Sequence, residues 1–300
     1  MIEKRYSSPQ SFDRAVRDRL KRAAKDGRRN FQELQREFHL QRFLARVFAS
    51  PDSMWVLKGG TGLLMRLPGS RHSQDLDLLH RSHDLNEAIA ELQQLADLTD
   101  FDPYRFVLGT PTRMTGGVDG AQIMVTVYLG VQQVGDFPID LSTHLELVAG
   151  VDTVEVAPII EIDDVPTLPP FKIYPLPDQI SDKICAMYEL YGEQKNPSTR
   201  YRDLADLVSI VSSTSFDAAL TARALKLESH RRGLELPPAV RLPAPGWATA
   251  YKRASKRFGA LDPQFHDVNT AMELVGKCLD PLLTGTRTTG TWHAESLSWQ

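Results

Sequence analysis

Apolar residues recur first at three- and four-residue steps, then alternate with polar ones, and return to helical spacing in the last 120 or so residues. Behind Ser11, an N-cap residue, Val16, Leu20 and Ala24 lie one turn apart. With Asp26-Gly27 as a stop, they predict a first helix. A second helix is expected through Phe31, Leu34, Phe38, Leu40, Phe43, Leu44 and Phe48, closed by Ser50-Pro51-Asp52. Met54–Leu57 reads as a short buried strand leading into Lys58-Gly59-Gly60-Thr61 and a helix to about Leu67. After a turn at Pro68-Gly69-Ser70, Asp75–Leu79 is a second strand. A helix from Asp84 to about Leu98 and strands at Tyr104–Leu108, Gln122–Leu129 and Phe137–Ser142 follow, with Gly116-Gly117 as a turn.

Asp163–Pro177 is proline-rich and reads as a crossing between lobes, and from Asp178 the pattern is helical. Helices are expected at 178–191, 199–211, 217–231, 245–258 and 264–283. The stretch from Thr284, rich in Thr, Gly and Ser, predicts a flexible tail. The expected class is α+β: a mixed-sheet lobe over residues 1–165, a helical lobe over 166–283 and a tail over 284–300.

Composition narrows the function. A hydrophobic share of 42% over 300 residues supports a buried core. No apolar run nears the roughly 18 to 20 residues that a membrane span requires. Met1-Ile2-Glu3-Lys4-Arg5-Tyr6 has no apolar segment behind its charges, which argues against a signal peptide. Cys185 and Cys278 form neither a metal-site spacing nor a disulfide framework, and a reduced cytoplasmic compartment fits. The net charge of −3 hides an asymmetry. Arg14–Arg29 holds eight Lys/Arg against Asp18 and Asp26, and Arg223–Arg257 holds nine against Glu228 and Glu235, so the rest is strongly acidic. Basic flanks around an acidic middle suit a polyanion and a divalent cation; solvated helix faces account for the same counts.

The chemistry concentrates in Ser73-Gln74-Asp75-Leu76-Asp77. On a strand, residues two apart share a face, so Asp75 and Asp77 can converge while Leu76 and Leu78 enter the core. Carboxylates that close repel unless a cation lies between them, and magnesium prefers such oxygen ligands. The preceding Lys58-Gly59-Gly60-Thr61 lets backbone approach phosphate and offers helix N-terminal amides, although it does not have P-loop spacing and also reads as an ordinary tight turn. Thr61 and Ser73 add hydroxyls, and Lys58 and Arg66 add positive charge. Asp140, alone among the apolar residues of 137–142, is either a third ligand on an adjacent strand or a strand-end cap. On local sequence alone, Lys183, beside Ile180, Ile184 and Met187, reads as a solvated lysine, and Asp203, between Arg202 and Leu204, as half of a surface ion pair.

Taken in order, these segments resemble a known family. Leu57-Lys58-Gly59-Gly60-Thr61, Arg66, and Arg71-His72-Ser73-Gln74-Asp75-Leu76-Asp77-Leu78 look like the opening motifs of AbiEii/MenT-type nucleotidyltransferase toxins, in the DNA polymerase β-like superfamily. Asp178-Gln179-Ile180-Ser181-Asp182-Lys183 is similar to that family's Asp-x-x-Lys region. Arg200-Tyr201-Arg202-Asp203-Leu204-Ala205-Asp206-Leu207 resembles its last motif. Gly60-Thr61 stands where the superfamily often has Gly-Ser. The resemblance implies a polymerase β-like core and a magnesium-dependent toxin that moves NMP from NTP to RNA, above all the tRNA 3′ end, and so blocks translation. It implies two magnesium ions on Asp75, Asp77 and Asp140, with Asp140 also helping to deprotonate the acceptor hydroxyl. Lys58, Gly59, Gly60, Thr61, Arg66, Ser73 and Lys183 become nucleotide contacts, Asp203 orients Lys183, Arg202 or the nucleotide, and an antitoxin becomes the partner. Transfer to a protein hydroxyl and non-catalytic nucleotide binding are the competing readings.

Overall fold

A computed structural model of the protein describes residues 6–27, 29–82, 84–114, 119–256 and 258–300. The turn expected at Gly116-Gly117 lies outside these residues, as do Met1–Arg5, Arg28 and Arg257. The chain divides into two compact units, one of Met1–Arg66, His72–Leu145 and Asp152–Ile173, the other of Leu67–Arg71, Glu146–Val151 and Tyr174–Gln300. Among the described residues, no helix is long and apolar enough to cross a membrane.

The first unit opens with α1 (Pro9–Gly27) and α2 (Phe31–Val47), followed by β1 (Trp55–Leu57), α3 (Gly59–Arg66), β2 (Leu76–His80) and α4 (Leu85–Ala96). Then come β3 (Tyr104–Leu108), β4 (Thr112–Arg113), β5 (Gly120–Leu129), β6 (Gln132–Ser142), β7 (Asp152–Val154) and β8 (Phe171–Ile173). These eight strands make one mixed sheet in the order β3-β5-β6-β2-β1-β8-β7, with β4 paired to β5. The β2–β6 and β1–β8 pairs are parallel and the others antiparallel. β4, β7 and β8 are additions to the expected strands. They are two or three residues long, and β8 lies in the proline-rich stretch read as a crossing, where pairing with β7 and with Leu57 of β1 makes it a strand.

One sheet face is covered by helices. Phe12, Val16 and Leu20 of α1, Phe38 and Phe43 of α2, and Leu85, Ala88 and Leu92 of α4 bury against Leu76, Leu78, Ile123, Val125, Ile139 and Leu141. Full burial of each large side chain contributes about 1.5–3 kcal/mol. Asn30 and Asp84 cap α2 and α4, each accepting from two first-turn amides. Arg46 is 0% exposed yet satisfied: it grips both Asp102 oxygens at 3.0 Å and donates to Leu98, Arg42 and Tyr104 carbonyls, tying α2 to the approach to β3.

The second unit is mainly helical: α5 (Leu176–Tyr188), α6 (Tyr201–Ser213), α7 (Ala218–Arg231), α8 (Trp247–Ser255) and α9 (Val268–Leu283). A hairpin of β9 (Leu190–Tyr191) and β10 (Asn196–Pro197) follows α5. β11 (Phe216–Asp217), β12 (Thr291–His293) and β13 (Ser298–Trp299) form a small sheet. This corrects the expectation of a flexible tail over 284–300. Trp292 is fully buried and donates to Val211 O at 2.8 Å, and Trp299 donates to Cys278 O at 2.9 Å, so two indoles pin the C-terminal strands to α6 and α9.

Candidate active site

Strand pairing assembles the expected acids on the sheet face opposite α1, α2 and α4. Alternation sends Leu76 and Leu78 of β2 into the core and leaves Asp77 on the other side. Asp77 is in register with Asp140 on β6, and Asp140 with Gln122 on β5. Neighbouring strands lie about 4.8 Å apart, so the two aspartates are side by side on one face. Lys58 N donates to Asp77 O at 2.8 Å, which extends the row to the end of β1. Lys58, Asp77, Asp140 and Gln122 thus cross four adjacent strands. Asp75, half-buried one residue before β2, falls two positions from Asp77.

The turn into α3 is shaped around Asp77. Gly59 has φ +58°, and a Cβ there would lie 1.8 Å from Asp77 Oδ2, so a side chain is excluded by both backbone conformation and space. Thr61 is fully buried, and its Oγ1 donates to Asp75 O at 2.8 Å, bracing the strand from α3. Ser73 Oγ donates to Asp75 Oδ1 at 2.5 Å, and Gln122 Nε2 to Asp140 Oδ1 at 2.9 Å. Both donors are neutral, so neither cancels its acid's charge. Arg66, at the end of α3, is ion-paired with Asp152 at 2.6 Å.

Among the described residues, no group of three or more His, Cys, Asp or Glu side chains is closed around a metal position. The acids here still suit a hard divalent cation in kind: Asp77 and Asp140 are carboxylates held in register, and Asp75 lies two residues from Asp77 in the chain.

Lys183 and Asp203 are brought together in the second unit. Lys183 Nζ lies 3.1 Å from Asp203 Oδ1 and 2.6 Å from Asp206 Oδ2, all three residues being buried. Burial disfavours the ammonium, but Asp206 and Asp203 outweigh it and hold the lysine pKa above its usual value. Arg71 grips Asp206 at 3.2 and 3.3 Å, and Arg200 reaches Asp203 at 2.7 Å. Asp206, Arg71, Arg200 and Gln122 are thus site-associated residues beyond those expected from the sequence. The three-residue step from Asp203 to Asp206 was the available signal for Asp206, because it places both acids on one face of α6. Gln122 gives no such signal, since it joins the row only through strand pairing.

The family model for "Nucleotidyl transferase AbiEii toxin, Type IV TA system" matches residues 42–274. The chain belongs to this family. As an AbiEii member it is a nucleotidyltransferase toxin of a toxin–antitoxin system, with a nucleoside triphosphate as substrate and an antitoxin as partner. The α+β fold agrees with that of MenT4, a nucleotidyltransferase toxin from Mycobacterium tuberculosis, at 20% identity and TM-score 0.54 over 90% of this chain and 99% of that one. JHP933 from Helicobacter pylori matches at 18% identity and TM-score 0.46 over 86% of this chain and 94% of that one. Among curated proteins, none matches the chain significantly.

Proposed function

We propose that this AbiEii member transfers NMP from an NTP to a terminal hydroxyl of RNA, above all the 3′ end of tRNA, and thereby blocks translation. The observation that carries the reading is the in-register pair Asp77–Asp140, with the glycine turn at Gly59 fitted against the Asp77 carboxylate. A purely structural acid on a sheet face has no need of a positive-φ glycine beside it.

In this reading Asp75, Asp77 and Asp140 hold magnesium ions, which when bound supply charge neutralisation to the triphosphate and to the leaving oxygen. Gly59, Gly60 and the first amides of α3 let the phosphates approach backbone, and Lys58 adds a point charge. Ser73 orients Asp75 through its hydroxyl. The acceptor hydroxyl oxygen bonds to the α-phosphorus, the bond from that phosphorus to the β-phosphate bridging oxygen breaks, and pyrophosphate leaves. Asp140, steadied by Gln122, accepts the hydroxyl proton. Lys183 has three N–H donors, of which Asp203 and Asp206 take two, and the third serves a phosphate oxygen.

The test incubates purified protein with total tRNA, magnesium and each α-labelled NTP in turn, and resolves products on a denaturing gel. Label on tRNA, lost in a folded Asp75→Ala variant, is the expected result. Label on protein alone moves the acceptor to a protein hydroxyl, and no label with any NTP overturns the transfer reading.

A further inference from the structure

The second unit holds a cavity of about 460 Å³ that none of the catalytic motifs uses. Its lining joins the segment Glu146–Val148 to one face of α7: Arg223, Lys226, Leu227 and His230 lie at helical positions i, i+3, i+4 and i+7. Leu147, Val148 and Leu227 make its apolar floor, with Arg223, Lys226 and His230 exposed around it. The wall opposite α7 is held in place, because Asp178 accepts from Val148 N at 2.8 Å and Ala149 N at 3.1 Å.

Charge on and beside α7 is divided sharply. Arg231 and Arg232 are consumed internally, Arg231 by Glu228 and Arg232 by Glu228, Asp182 and Glu189. Among the described residues, Arg223 and Lys226 form no ion pair, and they are the two that line the cavity. An apolar floor beneath two unneutralised cations suits a ligand with a flat apolar part and an attached anion. The volume lies within the usual range of small-molecule pockets, about 300–1,000 Å³. Glu146, the one acid on the rim, offers an acceptor for a ribose hydroxyl or a base amino group.

We infer that this cavity takes one nucleotide unit of the RNA acceptor, its base on the Leu147–Val148–Leu227 floor and its phosphate between Arg223 and Lys226. This rests on the RNA-acceptor reading above. The ligand chemistry is that of a nucleoside phosphate, which a free nucleotide shares, so the test separates the two sources.

Binding of a short fluorescein-labelled single-stranded RNA to the full chain is followed by anisotropy across a salt series. Binding of fluorescent ATP and GTP analogues is measured in parallel. In Arg223→Glu/Lys226→Glu the RNA affinity is expected to fall at least tenfold, and the slope of log affinity against log salt to flatten by about 0.7, the value for one neutralised phosphate on a single strand. Leu227→Trp, which fills the floor, is expected to weaken RNA while keeping the wild-type salt slope. Nucleotide-analogue binding stays unchanged in both variants. Unaltered RNA affinity in a charge-reversed protein with wild-type melting overturns the assignment, and so does loss of analogue binding with RNA binding intact. Wild-type protein that labels RNA while the double variant binds it normally removes the cavity and leaves the reaction standing. RNA binding that depends on the cavity, without NMP transfer, does the reverse.

Discussion

The two acidic clusters of this protein treat negative charge in opposite ways. On the sheet face of the first unit, Asp75 and Asp140 are half-buried and receive hydrogen bonds from a serine and a glutamine. In the second unit, Asp203 and Asp206 are buried and held by Lys183, Arg200 and Arg71. Neutral donors orient a carboxylate without consuming its charge, whereas cations at about 3 Å consume it almost entirely. The first arrangement leaves the charge of Asp75 and Asp140 for a ligand. The second stabilises a helix pair and presents at most one remaining lysine donor. Having Asp residues in family motifs is therefore not enough to make the two clusters equivalent.

The sharpest way to break this contrast is Gly59→Ala. The new Cβ would collide with the Asp77 carboxylate at a φ that L-residues avoid. Displacing a reacting group by about 1 Å can cost 10²-fold, and here the displaced group is a proposed metal ligand. NMP transfer is expected to fall by about 10³-fold, while thermal melting registers only about 1–2 kcal/mol of strain. Activity within tenfold of wild type would remove Asp77 from the reaction centre.

Lys183→Met probes the other cluster. It leaves Asp203 and Asp206 buried with their shared cation gone, although Arg200 and Arg71 remain. Breaking a buried pair in this way costs about 3–5 kcal/mol. The two arginines bring the expectation to about 3 kcal/mol, a melting-temperature drop of roughly 6–12 °C. Asp206→Asn, which retains the ammonium, is expected to lose less stability and to keep the wild-type KM for NTP. An unchanged melting temperature in Lys183→Met would mean that the cluster is not a structural ion pair and would undo the comparison.

What the sequence reveals follows the same division. Asp77 and the Gly59 turn are legible because strand alternation and glycine chemistry are local, and α1, α2, α3 and α4 follow from apolar spacing and turn signals. Gln122 is not, since it gains its role from Asp140, 18 residues away, and Asp206 shows only its three-residue step from Asp203, its partner Lys183 lying 23 residues away. β8 is missed for a related reason. Three residues carry almost no periodicity, and Phe171–Ile173 is a strand because β7 and β1 pair with it. The tail misleads through its Thr, Gly and Ser content. Trp292 and Trp299 carried the opposing signal, because large indoles are seldom left in solvent.

Thr61 sets the finest test of the comparison. The family resemblance makes it a nucleotide contact, yet its hydroxyl is fully buried and donates to Asp75 O at 2.8 Å. If its work is to brace the strand, Thr61→Val preserves shape but leaves that carbonyl without its donor, a cost of about 1–3 kcal/mol, near 1 if the amide network relaxes. Melting should fall by a few degrees, kcat should drop modestly as Asp75 loses its support, and KM for NTP should stay put. Thr61→Ser, which keeps the donor, should recover kcat. The opposite split, a raised KM with melting unchanged, would put the Thr61 hydroxyl on the nucleotide. It would also show that the first cluster spends its neutral donors on substrate as well as on its own carboxylates.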